Sequence, residues 1–294
     1  MLKPERVPLT VLLLMATASL LGCSGLGFFA ANAPVIFDSN RRAVDLAYGQ
    51  DARQRLDVYA PPGAAALPVV IFWYGGSWTH GDKSEYRFVA EALARQGLVV
   101  AIPDYRLFPG VKYPDFVQDG AHALQWVEQH AREYGGDPNR IVLMGHSAGA
   151  HMAAMLAFNR KAAAAAGADP RCVVGLVGLS GPYALDPNSD LLRTIFAAPY
   201  TVADWQPVRY VDDQSPPALL IHGLSDDVVY VSHAEKLHAA LVEHHVRVEM
   251  QLYPERGHSD TVAAFSLILR RRTPALAQTV AFIRSVTTRS DPSH

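Results

Sequence analysis

The sequence from 141 to 158, IVLMGHSAGAHMAAMLAF, constrains the fold more than any other part of the chain. Four apolar residues with strand character (141–144) lead through Gly145-His146-Ser147-Ala148-Gly149 directly into an apolar, alanine-rich segment with helical character. Such a G-x-S-x-G turn between a strand and a helix holds its serine in a strained backbone, with the hydroxyl exposed above a helix N-terminus. The pattern predicts Ser147 as a nucleophile; the alternative is a small-residue turn that only packs a strand against a helix.

Strand and helix patterns alternate along most of the chain. This order indicates a mostly parallel, doubly wound sheet with helices on both faces, an α/β fold extending over residues 46–290. Short apolar or alternating runs predict strands at 54–59, 69–73, 98–102, 173–179, 218–222 and 246–253. Amphipathic spacing predicts helices at 85–96, 115–134, 232–243 and 275–286.

One connection is too long for this alternation. Residues 181–217 contain six prolines and several aromatic side chains, among them Phe196 and Trp205. Long loops inside a compact domain are usually lids or binding elements. The segment is therefore predicted to be a small cap-like insertion rather than a second domain.

A serine nucleophile needs a base within hydrogen-bonding reach and a carboxylate that orients the base. In doubly wound folds with such a serine, the acid and then the base follow it in the sequence. Of the 12 histidines, most precede the turn or fall on predicted helices, where surface or packing roles are commoner. His258 lies in a turn-rich loop after the last predicted strand, so it is the predicted base.

The predicted acid lies in the loop after the strand at 218–222. Two adjacent carboxylates, Asp226 and Asp227, follow His222-Gly223 in this loop. Either one is positioned to accept a hydrogen bond from His258 and hold its ring in one tautomer. The spacing from His222-Gly223 favours Asp226, with Asp227 as the second choice.

A third loop is predicted to bind an oxyanion. Tyr74-Gly75-Gly76-Ser77-Trp78 follows the buried strand at 69–73, and its glycines allow backbone N–H groups to converge on one oxygen atom. We predict that Gly76 and Ser77 donate these N–H groups together with Ala148, which follows the serine. The alternative is an ordinary tight turn.

Residues 54–286 resemble an α/β-hydrolase of the bacterial carboxylesterase branch, near the hormone-sensitive-lipase-like and kynurenine-formamidase-like esterases. The resemblance rests on the motifs around Gly75-Gly76, Pro103-Asp104-Tyr105-Arg106, Gly145 to His151, His222-Gly223 with Asp226, and Gly257-His258. It implies the triad Ser147, Asp226 and His258 and the oxyanion donors named above. The chain departs from the family at Tyr74, where the family usually has histidine.

The resemblance implies a serine carboxylesterase that hydrolyses small or short-chain carboxylic esters through an acyl-enzyme on Ser147. It implies no metal and no organic cofactor. One alternative is an aryl-formamide hydrolase of the kynurenine formamidase type, which uses the same residues. Another is a catalytically silent hydrolase fold kept as an envelope binding protein, for which Tyr74 is the single supporting feature.

The first residues are predicted to be a targeting segment and not part of the fold. Lys3 and Arg6 precede an apolar stretch at 7–21, which is typical of a secretory signal and shorter than a membrane-spanning helix. The segment ends in Leu-Leu-Gly-Cys23, which resembles the bacterial lipobox and implies lipidation of Cys23. Residues 1–23 are thus predicted to be a signal peptide with a lipobox-like end, and 24–45 to be a tether without regular structure.

This N-terminus predicts secretion across the inner membrane and an outer-membrane or periplasmic lipoprotein, held at the membrane by the lipid on Cys23. Ordinary secretion with cleavage nearby is the alternative. The net charge of −2 and the 18% content of charged residues give no indication of a nucleic-acid partner.

Overall fold

The computed structural model of the chain describes residues 23–36, 38 and 40–288, without the side chains of 23–26, 41 and 42. The predicted signal segment therefore lies outside the described residues. The same holds for the side chain of Cys23, on which the predicted lipid anchor depends. No helix within the described ranges is both long and apolar enough to cross a membrane.

The described strands form one sheet with the spatial order β1-β2-β4-β3-β5-β6-β7-β8. Neighbours from β4 to β8 pair in parallel, whereas β1 and β2 are antiparallel to their neighbours. The strands are β1 (Arg41–Ala47), β2 (Arg55–Tyr59), β3 (Leu67–Trp73), β4 (Val99–Pro103), β5 (Gly136–His146), β6 (Val173–Leu179), β7 (Ala218–Gly223) and β8 (Val248–Tyr253). This topology confirms the predicted doubly wound, mostly parallel sheet.

Helices cover both faces of the sheet. Phe72 and Trp73, adjacent on β3, point to opposite faces: the Phe72 ring lies 5.7 Å from that of Tyr86, and a Cβ atom at Gly120 would lie 3.6 Å from the Trp73 indole nitrogen. Both side chains are fully buried, as expected of a strand covered on two sides. The helices are α1 (Cys23–Asn32), α2 (Arg87–Ala94), α3 (Asp115–His130), α4 (Ala148–Phe158), α5 (Arg160–Ala165), α6 (Asp190–Ile195), α7 (Val202–Trp205), α8 (Ser232–Glu243), α9 (Asp260–Ala263) and α10 (Ala275–Thr287).

The segment predicted to be an irregular tether, 24–45, instead contains the helix α1, a 3₁₀ turn at Ala33–Val35 and most of β1. The helix is held by Asn32, whose amide donates to the carbonyl oxygen of Glu85 (2.7 Å) and accepts from the N–H of Phe88 (2.9 Å). Val35 is only 2% exposed and packs into the core. These contacts join residues more than 50 positions apart, so no local period in the sequence could reveal them.

The insertion at 181–217 contains α6, α7 and a 3₁₀ turn at Pro207–Tyr210. Its aromatic side chains Phe196 and Trp205 are buried, and Phe196 packs edge to face on Trp78 with ring centres 4.8 Å apart. The backbone N–H of Tyr113 donates to the carbonyl of Ile195. The insertion thus lies against the loop that follows β3.

Candidate active site

Ser147 occupies the sharp turn between β5 and α4. Its backbone has φ 54° and ψ −122°, a strained conformation for a residue with a side chain. The flanking glycines are needed for space, because a Cβ atom at Gly145 would lie 2.3 Å from the carbonyl carbon of Gly149, and one at Gly149 would lie 2.1 Å from the carbonyl oxygen of Trp73. The Ser147 N–H donates to the Leu179 carbonyl at 2.9 Å, which fixes the turn to β6.

Asp226 and His258 meet at the same end of the sheet, on the loops that follow β7 and β8. The Nδ1 atom of His258 lies 2.8 Å from Oδ2 of Asp226. The other carboxylate oxygen, Oδ1, accepts the N–H groups of Val228 (3.0 Å) and Val229 (2.8 Å). Asp227 is exposed and makes no contact with His258. The structure therefore pairs the histidine with the first of the two candidate carboxylates.

The environment of Asp226 keeps it ionised. Its side chain is fully buried, which by itself favours the neutral acid. Hydrogen bonds from His222, His258 and the Val229 N–H outweigh burial and hold the pKa of Asp226 far below its ordinary value. A carboxylate in this state orients the imidazole ring and stabilises a positive charge that develops on it.

Two further histidines support this pair. His222 is fully buried, with Nε2 2.7 Å from the Val229 carbonyl oxygen and 3.3 Å from Asp226 Oδ2. His146 donates from Nε2 to the carbonyl oxygen of His258 at 3.1 Å, and the two rings lie 4.8 Å apart. Burial, with a smaller effect of the neighbouring His258, lowers the pKa of His146 to about 3. His146 is thus a neutral support for the loop that carries His258.

His146 precedes Ser147 in the sequence, so the expected order of acid and base after the serine does not predict a role for it. The signal that could have identified it is its place between Gly145 and Ser147. A side chain at that position of a strand-turn-helix motif stays at the end of the sheet, where the loops after the later strands also converge.

The loop after β3 passes directly beside Ser147. A Cβ atom at Gly75 would lie 3.0 Å from the Ser147 Cβ atom. Gly76, Ser77 and Trp78 all have positive φ angles of 124°, 50° and 59°. In the described part of the chain, the N–H groups of Gly76, Ser77 and Ala148 donate to no protein acceptor. These free donors lie where the sequence predicts an oxyanion site.

Tyr74 takes part in a buried polar network below this loop. Its hydroxyl donates to Asp104 Oδ1 at 2.6 Å and accepts from Nη2 of Arg53 at 2.8 Å. Asp104 also accepts the backbone N–H of Lys83 at 2.8 Å, and Tyr105 donates to the carbonyl oxygen of Tyr74 at 3.0 Å. The loop is therefore anchored by the phenol of Tyr74, the position at which the sequence departs from the histidine that the resemblance predicts.

An aromatic cluster fills the space on the far side of this loop. Trp78 stacks on Phe116 at 5.7 Å and packs edge to face on His151 at 5.2 Å. His151 Nε2 donates to the Trp205 carbonyl at 2.6 Å, and burial lowers the pKa of His151 to about 4. This histidine is a packing residue. Within the described ranges, no group of three or more His, Cys, Asp or Glu side chains is arranged so that it could hold a metal ion.

Comparison with known proteins places this arrangement in a family. The BD-FAE family matches residues 56–241, more than half of the chain. A probable isoprenylcysteine alpha-carbonyl methylesterase of Arabidopsis thaliana is 32% identical over 275 residues, and the esterase LipC of Mycobacterium tuberculosis is 31% identical over 269 residues. These alignments cover 86% and 83% of this chain, but the chain spans only 64% of the length of either relative.

Solved structures show the same fold. A truncated carbohydrate esterase from gut microbiota superposes with a TM-score of 0.74 at 20% identity, covering 86% of this chain and 99% of that one. Thermogutta terrifontis esterase 2 superposes with a TM-score of 0.72 at 23% identity, covering 85% of this chain and 96% of that one.

Proposed function

Because this chain belongs to the BD-FAE family of α/β-hydrolases, in the bacterial carboxylesterase branch, we propose that it is a serine carboxylesterase acting on small or short-chain esters. The names of its relatives, a methylesterase and an esterase, support hydrolysis of carboxylic ester bonds. The observation that carries the proposal is the 2.8 Å contact between His258 and the buried, ionised Asp226 at the end of the sheet where Ser147 emerges.

In the proposed reaction, Ser147 Oγ attacks the ester carbonyl while His258 accepts the hydroxyl proton at Nε2. Asp226 remains ionised and holds the ring through Nδ1. The negative charge on the carbonyl oxygen is stabilised by the free N–H groups of Gly76, Ser77 and Ala148. Each such donor typically contributes about 3 to 4 kcal/mol to transition-state stabilisation.

Collapse of the tetrahedral intermediate breaks the bond to the leaving oxygen, which takes the proton from His258 Nε2 and departs as an alcohol. Water then attacks the acyl group on Ser147, with His258 accepting a proton from the water. The second intermediate collapses to a carboxylic acid, and Ser147 regains its proton. No step in this sequence requires an additional cofactor.

The two alternative functions receive less support. An aryl-formamide hydrolase would use the same three side chains, but the relatives reported above are named for ester bonds. A silent binding protein was suggested by Tyr74 alone, and the hydroxyl of Tyr74 now accounts for the anchoring of the loop. Neither alternative has an observation that favours it.

The test compares the purified protein with Ser147→Ala on p-nitrophenyl acetate, butyrate and octanoate and on formylkynurenine. We expect hydrolysis of the short esters, little of the octanoate or the formamide, and loss of ester hydrolysis by about 10⁴-fold or more in the variant. A folded wild-type protein without esterase activity, or a variant that retains it, contradicts the proposal.

The location is a separate proposal: secretion across the inner membrane and attachment to the envelope through a lipid on Cys23. It is supported by Lys3 and Arg6 before the apolar stretch at 7–21 and by the Leu-Leu-Gly-Cys23 sequence. Mass spectrometry of the mature N-terminus tests it. We expect an acylated Cys23 that is lost, with membrane association, in Cys23→Ala; an unmodified N-terminus at another residue refutes the anchor.

A further inference from the structure

A cavity of about 390 Å³ lies beside the loop that follows β3. Its inner end is formed by Gly75, Gly76 and His146. Since a Cβ atom at Gly75 would lie 3.0 Å from that of Ser147, this end of the cavity adjoins the proposed nucleophile. The cavity is therefore close enough to hold part of a substrate whose carbonyl carbon is at Ser147.

The residues of one cavity wall indicate which part of an ester substrate would bind in the cavity. The residues immediately after His258, namely Ser259, Asp260, Val262 and Ala263, line the cavity. His258 must protonate the leaving oxygen when the first intermediate collapses, so the leaving alcohol has to lie next to this histidine. The space bordered by its neighbours is the place for that alcohol.

The opposite side of the loop offers little room. Trp78, Phe116 and Phe196 are 2%, 0% and 3% exposed and pack against one another. Densely packed aromatic rings leave space only for a short group. The acyl side of the proposed site is thus narrow, in contrast to the open alcohol side.

The outer wall of the cavity comes from α1, through Gly27, Phe28 and Ala31. The ring of Phe28 lies 4.9 Å from that of Tyr86, which in turn stacks on Tyr74 at 5.6 Å. The two hydrogen bonds of Asn32 hold the end of the helix to the segment 85–88. The position of Phe28 is therefore coupled to the loop that carries the oxyanion donors.

We propose that α1 is a specificity element and that Phe28 sets the selectivity for the leaving alcohol, an inference that rests on the proposed esterase function. Apolar side chains dominate the cavity wall: Phe28, Ala31, Tyr86, Phe88, Val262 and Leu269. Of its charged side chains, Asp260 and Arg272 pair with each other at 2.6 Å. This lining favours esters of alcohols with an aromatic or alkyl body, such as naphthol or benzyl alcohol.

The experiment measures kcat/KM of the full chain for acetates of increasing alcohol size: methyl, phenyl, benzyl and 1-naphthyl acetate. Phe28→Ala is compared with Phe29→Ala, because Phe29 is the adjacent residue and is 65% exposed. We expect Phe28→Ala to lower the preference for 1-naphthyl over methyl acetate by about 10-fold, since the lost ring contacts are apolar. Phe29→Ala should leave that ratio unchanged.

Gly27→Phe tests the same wall by filling the cavity. A Cβ atom at Gly27 meets no other atom within 4 Å, so a side chain can begin at this position without a clash at Cβ. We expect it to reduce kcat/KM for 1-naphthyl acetate by a larger factor than kcat/KM for methyl acetate, because the smaller alcohol needs less of the cavity. If thermal unfolding shows that Phe28→Ala does not fold, Gly27→Phe alone tests the proposal.

A second series, p-nitrophenyl acetate, butyrate and octanoate, separates the alcohol from the acyl group. The ratios in this series should stay within about 2-fold of wild type in Phe28→Ala, because the alcohol side does not contact the acyl chain. Within each variant the deacylation rate should be the same for all of the acetates, since every acetate leaves the same acetyl-enzyme.

Unchanged alcohol selectivity in both Phe28→Ala and Gly27→Phe overturns the inference, and so does a shift in acyl-chain selectivity alone. In either case the esterase itself stands. A wild-type protein that hydrolyses none of these esters overturns the proposed function as well.

Discussion

Asp226 and Asp104 are two buried carboxylates at the same end of the sheet, each 5% exposed, yet their surroundings differ. Asp226 contacts two histidines, His258 and His222, and two N–H groups of its own loop. Asp104 contacts the Tyr74 hydroxyl and the Lys83 N–H, with the Lys83 ammonium 3.5 Å away. Asp226 thus contacts an imidazole ring that can accept a proton. Asp104 instead links Tyr74 to the backbone of Lys83.

The pKa values of the two carboxylates are also shifted in opposite directions. Burial raises the pKa of Asp104, and the hydrogen bonds from Tyr74 and Lys83 only partly oppose it. For Asp226 the hydrogen bonds outweigh burial, and its pKa is lowered. Asp226 is thus the more readily ionised of the two carboxylates and the one placed beside His258, whereas Asp104 holds the loop after β3 through Tyr74 and Lys83.

The largest effect predicted from this comparison is that of Asp226→Asn. The amide cannot stabilise a protonated His258 and favours the wrong tautomer, so we expect kcat to fall by about 10⁴-fold with the fold intact. Steady-state kinetics on p-nitrophenyl acetate measures it. Asp227→Asn is the matched control and should be close to wild type, because Asp227 is exposed. Equal losses in the two variants contradict the assignment of the acid.

Tyr74→Phe tests the other carboxylate. The substitution removes hydrogen bonds to Asp104 and Arg53, and we expect the free energy of unfolding to fall by about 3 kcal/mol, since bonds to charged groups are the stronger ones. Urea unfolding measures it. We expect kcat/KM to fall by no more than about 10-fold, because no oxyanion donor is removed.

Tyr105→Phe, which loses one bond to the Tyr74 carbonyl, should cost about 1 kcal/mol and serves as the milder companion. If Tyr74→Phe is as stable as wild type but nearly inactive, the network acts in catalysis and the distinction between the two carboxylates fails.

The last predicted effect concerns His151, which has no part in the proposed reaction and affects only the pH dependence of stability. The pKa of His151 is about 4 in the folded protein, below its ordinary value near 6.5, so the unfolded chain binds more protons between these two values. Stability is complete above about pH 6.5 and falls as the pH decreases towards 4.

His151→Asn should therefore reduce the loss of unfolding free energy between pH 7 and pH 5 by about 2 kcal/mol. Urea unfolding at both pH values measures this difference. An exposed histidine on α3, His122, provides the control in His122→Asn, which should leave this difference unchanged. An unaltered pH dependence in His151→Asn contradicts a lowered pKa of His151 in the folded protein.

Much of this architecture can be predicted from local patterns. The structure has β6 at 173–179 and α8 at 232–243, the predicted bounds, because these elements have strong apolar periodicity. The predicted meeting of Asp226 and His258 is also present, since parallel strands bring their following loops to one edge of the sheet. Strand β5, in contrast, begins at Gly136 rather than 141, through pairing with Leu67.

The features that the sequence did not predict depend on contacts between residues far apart in the sequence. Helix α1 is held by Asn32 and Phe28 against residues 85–88, and its own sequence has no polar face that would show a helical period. The support from His146 depends on the carbonyl of His258, 112 positions away. The place of His146 beside Ser147 indicates that it lies at the active-site end of the sheet, but its partner can be identified only from the fold.

The central claim is that Ser147 is a nucleophile activated by His258 and Asp226, and covalent labelling with a fluorophosphonate tests it most directly. We predict one phosphonyl group per molecule, located by peptide mass spectrometry on Ser147, absent in Ser147→Ala and formed much more slowly in Asp226→Asn. No labelling of the folded wild-type protein, or labelling that persists in Ser147→Ala, would contradict the account.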